Sequence, residues 1–184
     1  MTRYEVRIAG FGGQGVVTAG YVLGQSACLF DGKNATMTQS YGPEARGGAC
    51  RSEVVISDEE IDFPKVIKPD LLVAMSQEAY LLYCDDVKEG GTIIIDEDLV
   101  APTEETEGIK YYKSPASRTA EELGNRIVAN VVMLGAITVI ARVVSVEAMR
   151  KAVAARWPRF SELNLKALGK GVEIGRQLLE VCDR

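Results

Sequence analysis

Histidine is absent from the 184 residues of this chain, so any mechanism that needs an imidazole base is excluded within it. Cysteine is scarce. Cys28, Cys50, Cys84 and Cys182 lie far apart and form no C-x-x-C pair, which leaves the chain alone without the ligand spacing of an iron–sulfur cluster or a structural zinc. These cysteines read as reduced and mostly buried small hydrophobes. Long apolar runs are missing as well. The uncharged stretch 127–141 falls short of the ~20 apolar residues that span a bilayer, and 1–7 is too polar for a signal peptide, so the expectation is a cytoplasmic protein without membrane contact. No basic arm or tail is present. The net charge of -5, the pI near 5.0 and the scattered lysines and arginines argue against a nucleic-acid surface.

What the chain has is 47% hydrophobic residues, enough for one good core, and we expect a single domain over 1–184. It is organised around Gly10-Phe11-Gly12-Gly13-Gln14-Gly15, which interrupts an apolar run and satisfies G-x-G-x-x-G. In that pattern the first glycine permits a sharp turn, the second lets backbone approach a phosphate, and the third lets helix and strand pack closely. A helix starting near Gly13 offers N–H groups without intrahelical partners and so favours an anion. A glycine-rich turn that serves packing alone is the other reading of the same residues.

Val16, Gly20, Leu23, Ala27 and Phe30 fall on one helical face, and Gly20 lets that helix lie close to a sheet. Residues 31–34 end it, and 35–38 read as a second strand beside and parallel to the first. A nicotinamide site wants an acid near the end of that strand. Thr38-Gln39-Ser40 stands there instead, which disfavours ordinary NAD binding. From Gln39 a loop carries Ser40, Tyr41, Gly42, Glu44, Arg46, Gly47 and Gly48 at the carboxyl end of a strand, beside the Gly-rich turn. Arg46 either pairs with Glu44 at the surface or grips a phosphate or carboxylate, and local sequence leaves both open.

Residues 51–57 alternate, with Ser52, Val54 and Ile56 on one face, and together with 61–63 predict a β-hairpin. Residues 70–75 and 92–96 read as buried parallel strands, with Ser76 capping a helix between them. A short strand at 109–112 should half-bury Tyr111 and Tyr112. Thr119 with Glu122 makes a capping box for a helix from 120 to about 144, the longest expected, broken near Gly124 and apolar all round at its centre. Ser145 caps a further helix ending at Trp157-Pro158. Leu165, Leu168, Val172, Gly175 and Leu179 form the stripe of the last one, with Gly169, Gly171 and Gly175 allowing close packing. The fold class expected is a three-layer α/β/α arrangement with a mostly parallel, Rossmann-like sheet and an antiparallel hairpin.

Taken together, GFGGQG at 10–15, SYGPEARGG at 40–48, RSEVVIS at 51–57 and KPDLLVAMS at 68–76 resemble the gamma subunit of the 2-oxoacid:ferredoxin oxidoreductases, most closely the 2-oxoglutarate member. The pyruvate, branched-chain oxoacid and indolepyruvate members share the motifs. The resemblance implies a chain that is inactive alone and belongs to an enzyme with alpha, beta and ferredoxin-like delta subunits. Those companions would hold thiamine diphosphate, magnesium and the iron–sulfur clusters. The resemblance further implies that this subunit helps form the coenzyme A entry and holds the assembly together. Gly10, Gly12, Gly13, Gln14, Gly15, Ser40, Tyr41, Gly42, Glu44, Arg46, Gly47 and Gly48 are the candidate coenzyme A residues, with no catalytic or metal-ligating residue among them. A free-standing NAD(P)-dependent enzyme and a pure assembly subunit are the competing readings.

Overall fold

The computed structural model describes residues 3–41, 49–103 and 106–182. Six strands form one sheet: β1 (Tyr4–Phe11), β2 (Asn34–Tyr41), β3 (Ala49–Ser57), β4 (Leu71–Ala74), β5 (Thr92–Asp96) and β6 (Lys110–Ser114), in the order β2-β3-β1-β4-β5-β6. The pairs β1/β4, β4/β5 and β5/β6 are parallel, whereas β3 runs antiparallel to both β1 and β2. The helices are α1 (Val16–Gln25), α2 (Gln77–Tyr83), α3 (Ala116–Glu122), α4 (Ala129–Ala141), α5 (Val146–Arg156) and α6 (Ser161–Cys182). Alternation along the strands divides the core in two. Val6, Ile8, Val54, Ile56, Leu71, Val73 and Ile94 face the large layer built from α1 and α3 to α6, while Leu72, Ala74, Ile93 and Ile95 face Tyr80 of α2. This is the three-layer α/β/α class with a mixed sheet.

Two expectations about the sheet need correction. The second strand runs in the same direction as β1 but does not touch it, because β3 is inserted between them. The hairpin is formed by β2 and β3, and 61–63 is not a strand. Val54-Val55-Ile56 is buried on both faces, as a central strand requires, and that consecutive apolar run outweighs the alternation read from the flanking residues. Near 61–63 the Phe63 and Lys65 carbonyls instead accept from the Arg3 guanidinium at 2.7 and 2.9 Å.

The helices keep their apolar faces but shift their ends. The stripe on α1 is buried through Ala27, yet Phe30 is 36% exposed, because residues 26–30 form a π-helical turn that rotates the register. Thr119 is not a cap. It sits inside α3, whose free N–H groups at Ser117 and Arg118 are met by the carboxylates of Asp96 and Asp98, each at 3.1 Å. Gly124, at φ 83°, ends α3, so the expected long helix is two, and the longest is α6. Ser76 and Ser145 cap α2 and α5 as expected. The centre of α4 is buried on all sides, and α6 crosses it where Gly135 meets Gly171. Gly175 packs against Val139 and Ala136 in the same contact, but Gly169 faces open space and packs against nothing.

Candidate functional site

The candidate site is built at the carboxyl ends of β1 and β2, which run in the same direction with β3 between them. Tyr41, Cys50 and Gly10 form one row across the three strands, and Ser40, Arg51 and Ala9 form the next. The Gly-rich turn and the described end of the second segment, Ser40 and Tyr41, therefore lie at the same end of the sheet, one strand apart. Ser40 and Tyr41 belong to β2 rather than to a loop, and both are exposed. Gly42, Glu44, Arg46, Gly47 and Gly48 lie outside the described residues.

The glycines of 10–15 have roles different from those of the simple pattern. Gly10 is still in β1, and a Cβ there would overlap the Gln14 Oε1 and lie 3.2 Å from the Met75 Cβ. The space is taken by the Gln14 carboxamide, which accepts from the Phe11 N–H at 2.6 Å and donates to the Met75 carbonyl at 2.6 Å. Gln14 thus clamps the turn onto the end of β4 and spends both polar ends inside the fold. Gly13 and Gly15 have φ of 101° and 74°, left-handed conformations that only glycine adopts without strain. Gly15 has no room for a Cβ against Asn130, a buried residue of α4 that donates to the Gly15 carbonyl at 3.2 Å. Asn130 is a supporting residue that sequence reading missed, since nothing near it in the chain signals a distant partner.

The helix starts at Val16, with Gly15 as its N-cap, rather than near Gly13. No acid stands in its first turn, so its N–H groups meet no built-in counter-charge. Two clefts flank the turn. One, of about 420 Å³, is mostly apolar and runs past Phe11, Gly13, Met75, Leu99, Arg126 and Ile127. The other, of about 370 Å³, runs past Gly15, Thr18, Ile127, Asn130, Arg156 and Trp157. Ile127 is 74% exposed between them, and Arg126 and Arg156 bring cations that sequence reading had not assigned.

Behind the site, a charge network crosses the other face of the sheet. Buried Arg7 donates to Glu53 at 2.8 Å and to Asp86, and its guanidinium lies 4.9 Å from the Tyr83 ring. Arg51 donates to the Tyr83 hydroxyl at 3.0 Å. Arg7 and Glu53 are thus hydrogen-bonded to each other, with the Arg51 guanidinium 3.6 Å from the Glu53 carboxylate. Burial pushes the Cys50 and Cys84 thiols up, so both stay protonated near neutral pH and neither is a ready nucleophile. Cys28, by contrast, is exposed, against the expectation of burial. Among the described residues no three His, Cys, Asp or Glu side chains come together as a metal site, and no helix is long and apolar enough to cross a membrane.

A mixed α/β sheet carrying a clamped Gly-rich turn at the carboxyl end of β1, level with the exposed end of β2, defines the class. The chain belongs to the pyruvate ferredoxin/flavodoxin oxidoreductase family, whose pattern matches residues 5–174, and within it to the gamma-type subunits of 2-oxoacid:ferredoxin oxidoreductases. It is 55% identical to the 2-oxoglutarate synthase subunit KorC of Methanocaldococcus jannaschii, over 96% of this chain and 96% of that one. The crystal structure of the keto/oxoacid ferredoxin oxidoreductase gamma subunit from Geobacter sulfurreducens superposes with a TM-score of 0.87 at 44% identity, covering 97% of this chain and 99% of that one. The 2-oxoglutarate:ferredoxin oxidoreductase from Magnetococcus marinus, with 2-oxoglutarate, coenzyme A and succinyl-CoA bound, superposes with a TM-score of 0.89 at 25% identity, over 97% of this chain but 32% of that one. The chain is one subunit of an oxidoreductase complex and has partner subunits.

Proposed function

We propose that this chain is the gamma subunit of a 2-oxoglutarate:ferredoxin oxidoreductase and that its Gly-rich turn, with Ser40, Tyr41 and the loop 42–48, lines the coenzyme A site of the assembled enzyme. The observation that carries this is that the Gly-rich turn and the exposed Ser40-Tyr41 end of β2 lie at the same end of the sheet, beside a helix N-terminus with no acid in its first turn. Gly12 and Gly13 are exposed, so backbone N–H groups there are open to a phosphate without an intervening Cβ. The mostly apolar cleft beside Phe11 and Ile127 suits an uncharged chain attached to that phosphate, and Arg126 supplies a cation on its wall. The residues present therefore fit the anionic and apolar parts of coenzyme A.

Coenzyme A, when bound, supplies the thiol that accepts the acyl group. This chain's residues bind and orient: the turn holds phosphate, the cleft holds the neutral arm, and the Gln14 clamp keeps the turn in register with β4. Decarboxylation and electron transfer belong to the alpha, beta and ferredoxin-like delta subunits, which hold thiamine diphosphate, magnesium and the iron–sulfur clusters. The enzyme works in the cytoplasm, and the whole of 1–184 acts as one domain.

The test is steady-state kinetics of the reconstituted enzyme. Gly12→Val places a branched side chain where the phosphate should approach, and Arg46→Ala removes a charge-assisted contact of roughly 1.5–3 kcal/mol, equivalent to about a ten- to hundredfold rise in the Michaelis constant for coenzyme A. The constant for 2-oxoglutarate should not move. If both variants assemble and leave the coenzyme A constant unchanged, the loops are scaffold and the subunit serves assembly alone.

A further inference from the structure

The two edges of the sheet are unlike. β6 is five residues long and carries Lys110 and Lys113, the kind of charge that discourages further strand pairing. β2 is eight residues long, Asn-Ala-Thr-Met-Thr-Gln-Ser-Tyr, with no charge and no proline, and its outer row of N–H and C=O groups pairs with no strand among the described residues. A long unguarded edge of this kind is a template for an added strand.

The surface beside that edge is shaped for side chains. A cleft of about 490 Å³ lies between α1, α5 and β2, lined by Val17, Tyr21, Gln25, Met37, Gln39 and Arg156. A second, of about 250 Å³, continues it toward the start of β2, past Tyr21, Gln25, Cys28, Leu29, Ala35 and Met37. Tyr21 and Leu29 are 51% and 63% exposed, large apolar side chains in the open. Between the two clefts the Gln25 Oε1 is buried and accepts no hydrogen bond.

The occupant follows from two observations. Arg156 is the only charged residue lining the groove, so a second copy of this chain, lying antiparallel against β2, would bring no acid from its own groove to match it. In the Magnetococcus marinus enzyme, moreover, this fold makes up 32% of a longer chain, so about two-thirds of that polypeptide is covalently joined to it. We propose that β2 accepts, by edge pairing, a β-strand from the longer partner subunit that corresponds to this joined region. That strand mixes apolar and amide side chains and carries a single acid, placed near Arg156. The proposal rests on the chain's being a subunit of the oxidoreductase and adds which face its partner takes.

The experiment uses the chain co-expressed with its companion subunits and purified through a tag on this chain. Leu29→Glu combined with Gln39→Lys puts charges on the groove and on the edge, both at exposed positions that leave the fold intact. Lys110→Glu on the opposite edge is the control. The expected result is at least about a tenfold loss of the longer subunit from the double variant, full retention by the control, and unchanged circular dichroism and melting in both. Hydrogen exchange on the wild-type complex should also show the outward-facing β2 amides protected about tenfold or more beyond the free chain. Full retention by the double variant overturns the proposal, as does equal exchange of β2 in the free chain and the complex. A free chain that sediments as a dimer and is made monomeric by the same variant gives the edge to a second copy, which also overturns it. A wild-type chain that captures no longer subunit overturns both this interface and the assignment as a subunit.

Discussion

Replacing Gly171 by Ala sets two effects of opposite sign against each other on one helix. Ala is the better helix former by ~1 kcal/mol, so propensity alone predicts stabilisation. Yet Gly171 lies at the crossing of α6 over α4, where an added Cβ would overlap the Val132 carbonyl oxygen and stand 2.8 Å from the Val132 carbonyl carbon and 3.0 Å from the Gly135 Cα. These are backbone atoms in a helix buried on all sides, and they have no rotamer by which to move away. Accommodating the methyl requires the helices to separate, and overpacking of this kind costs about 1–3 kcal/mol or more. With overlap against backbone atoms the cost falls at the upper end of that range, so the contact should win, leaving a net loss of about 1–2 kcal/mol. Gly169 is the internal control, two residues away on the same helix, exposed and with open space around its Cβ direction. Gly169→Ala should gain about 0.5–1 kcal/mol. Urea unfolding of the two single variants measures both. Equal stabilisation by both would refute the claim that the α4/α6 crossing depends on backbone contact at Gly171.

Gly20→Ala should destabilise by about 1–2 kcal/mol net of helix propensity in the same assay, because its Cβ would sit 2.6 Å from the Ser52 Cβ and push α1 off the sheet. Gln14→Leu removes two hydrogen bonds of about 1 kcal/mol each and should speed exchange of the Phe11 amide, while circular dichroism stays unchanged. Asp96 is fully buried, and burial raises its carboxyl above the ordinary 3.8 despite bonds from Ser117. Its contribution is present below the ordinary value and lost as pH rises through the raised one. The melting temperature of Asp96→Asn minus that of the wild type should therefore grow from pH 3 to pH 8, and a flat difference would refute it.

Most of the element list was legible because it follows from local rules: the apolar runs of β4 and β5, the Ser76 and Ser145 caps, and the all-apolar centre of α4. What was not legible depended on tertiary partners. The start of α3 is set by Asp96 and Asp98 from the end of β5, so the local Thr119/Glu122 pair pointed to the wrong turn. The slot of β3 between β1 and β2 is a choice of neighbours, and periodicity along one strand says nothing of which strands flank it.

The Gly-rich turn shows how far such a motif can be read. G-x-G-x-x-G predicted strand, turn and helix correctly because its glycines are needed on backbone grounds, and φ of 101° and 74° at Gly13 and Gly15 bear that out. Two of the three motif glycines are nevertheless required by side chains: Gly10 by the carboxamide of Gln14, and Gly15 by Asn130, which is 115 residues further along the chain. A glycine can be indispensable to a turn without touching any ligand. The positions where a ligand role remains separable from the fold are Gly12 and Gly13, exposed at the tip, with no Cβ contact at Gly13. Substitutions at Gly10 or Gly15 would damage the fold and the site together, and for that reason the kinetic test is placed at Gly12.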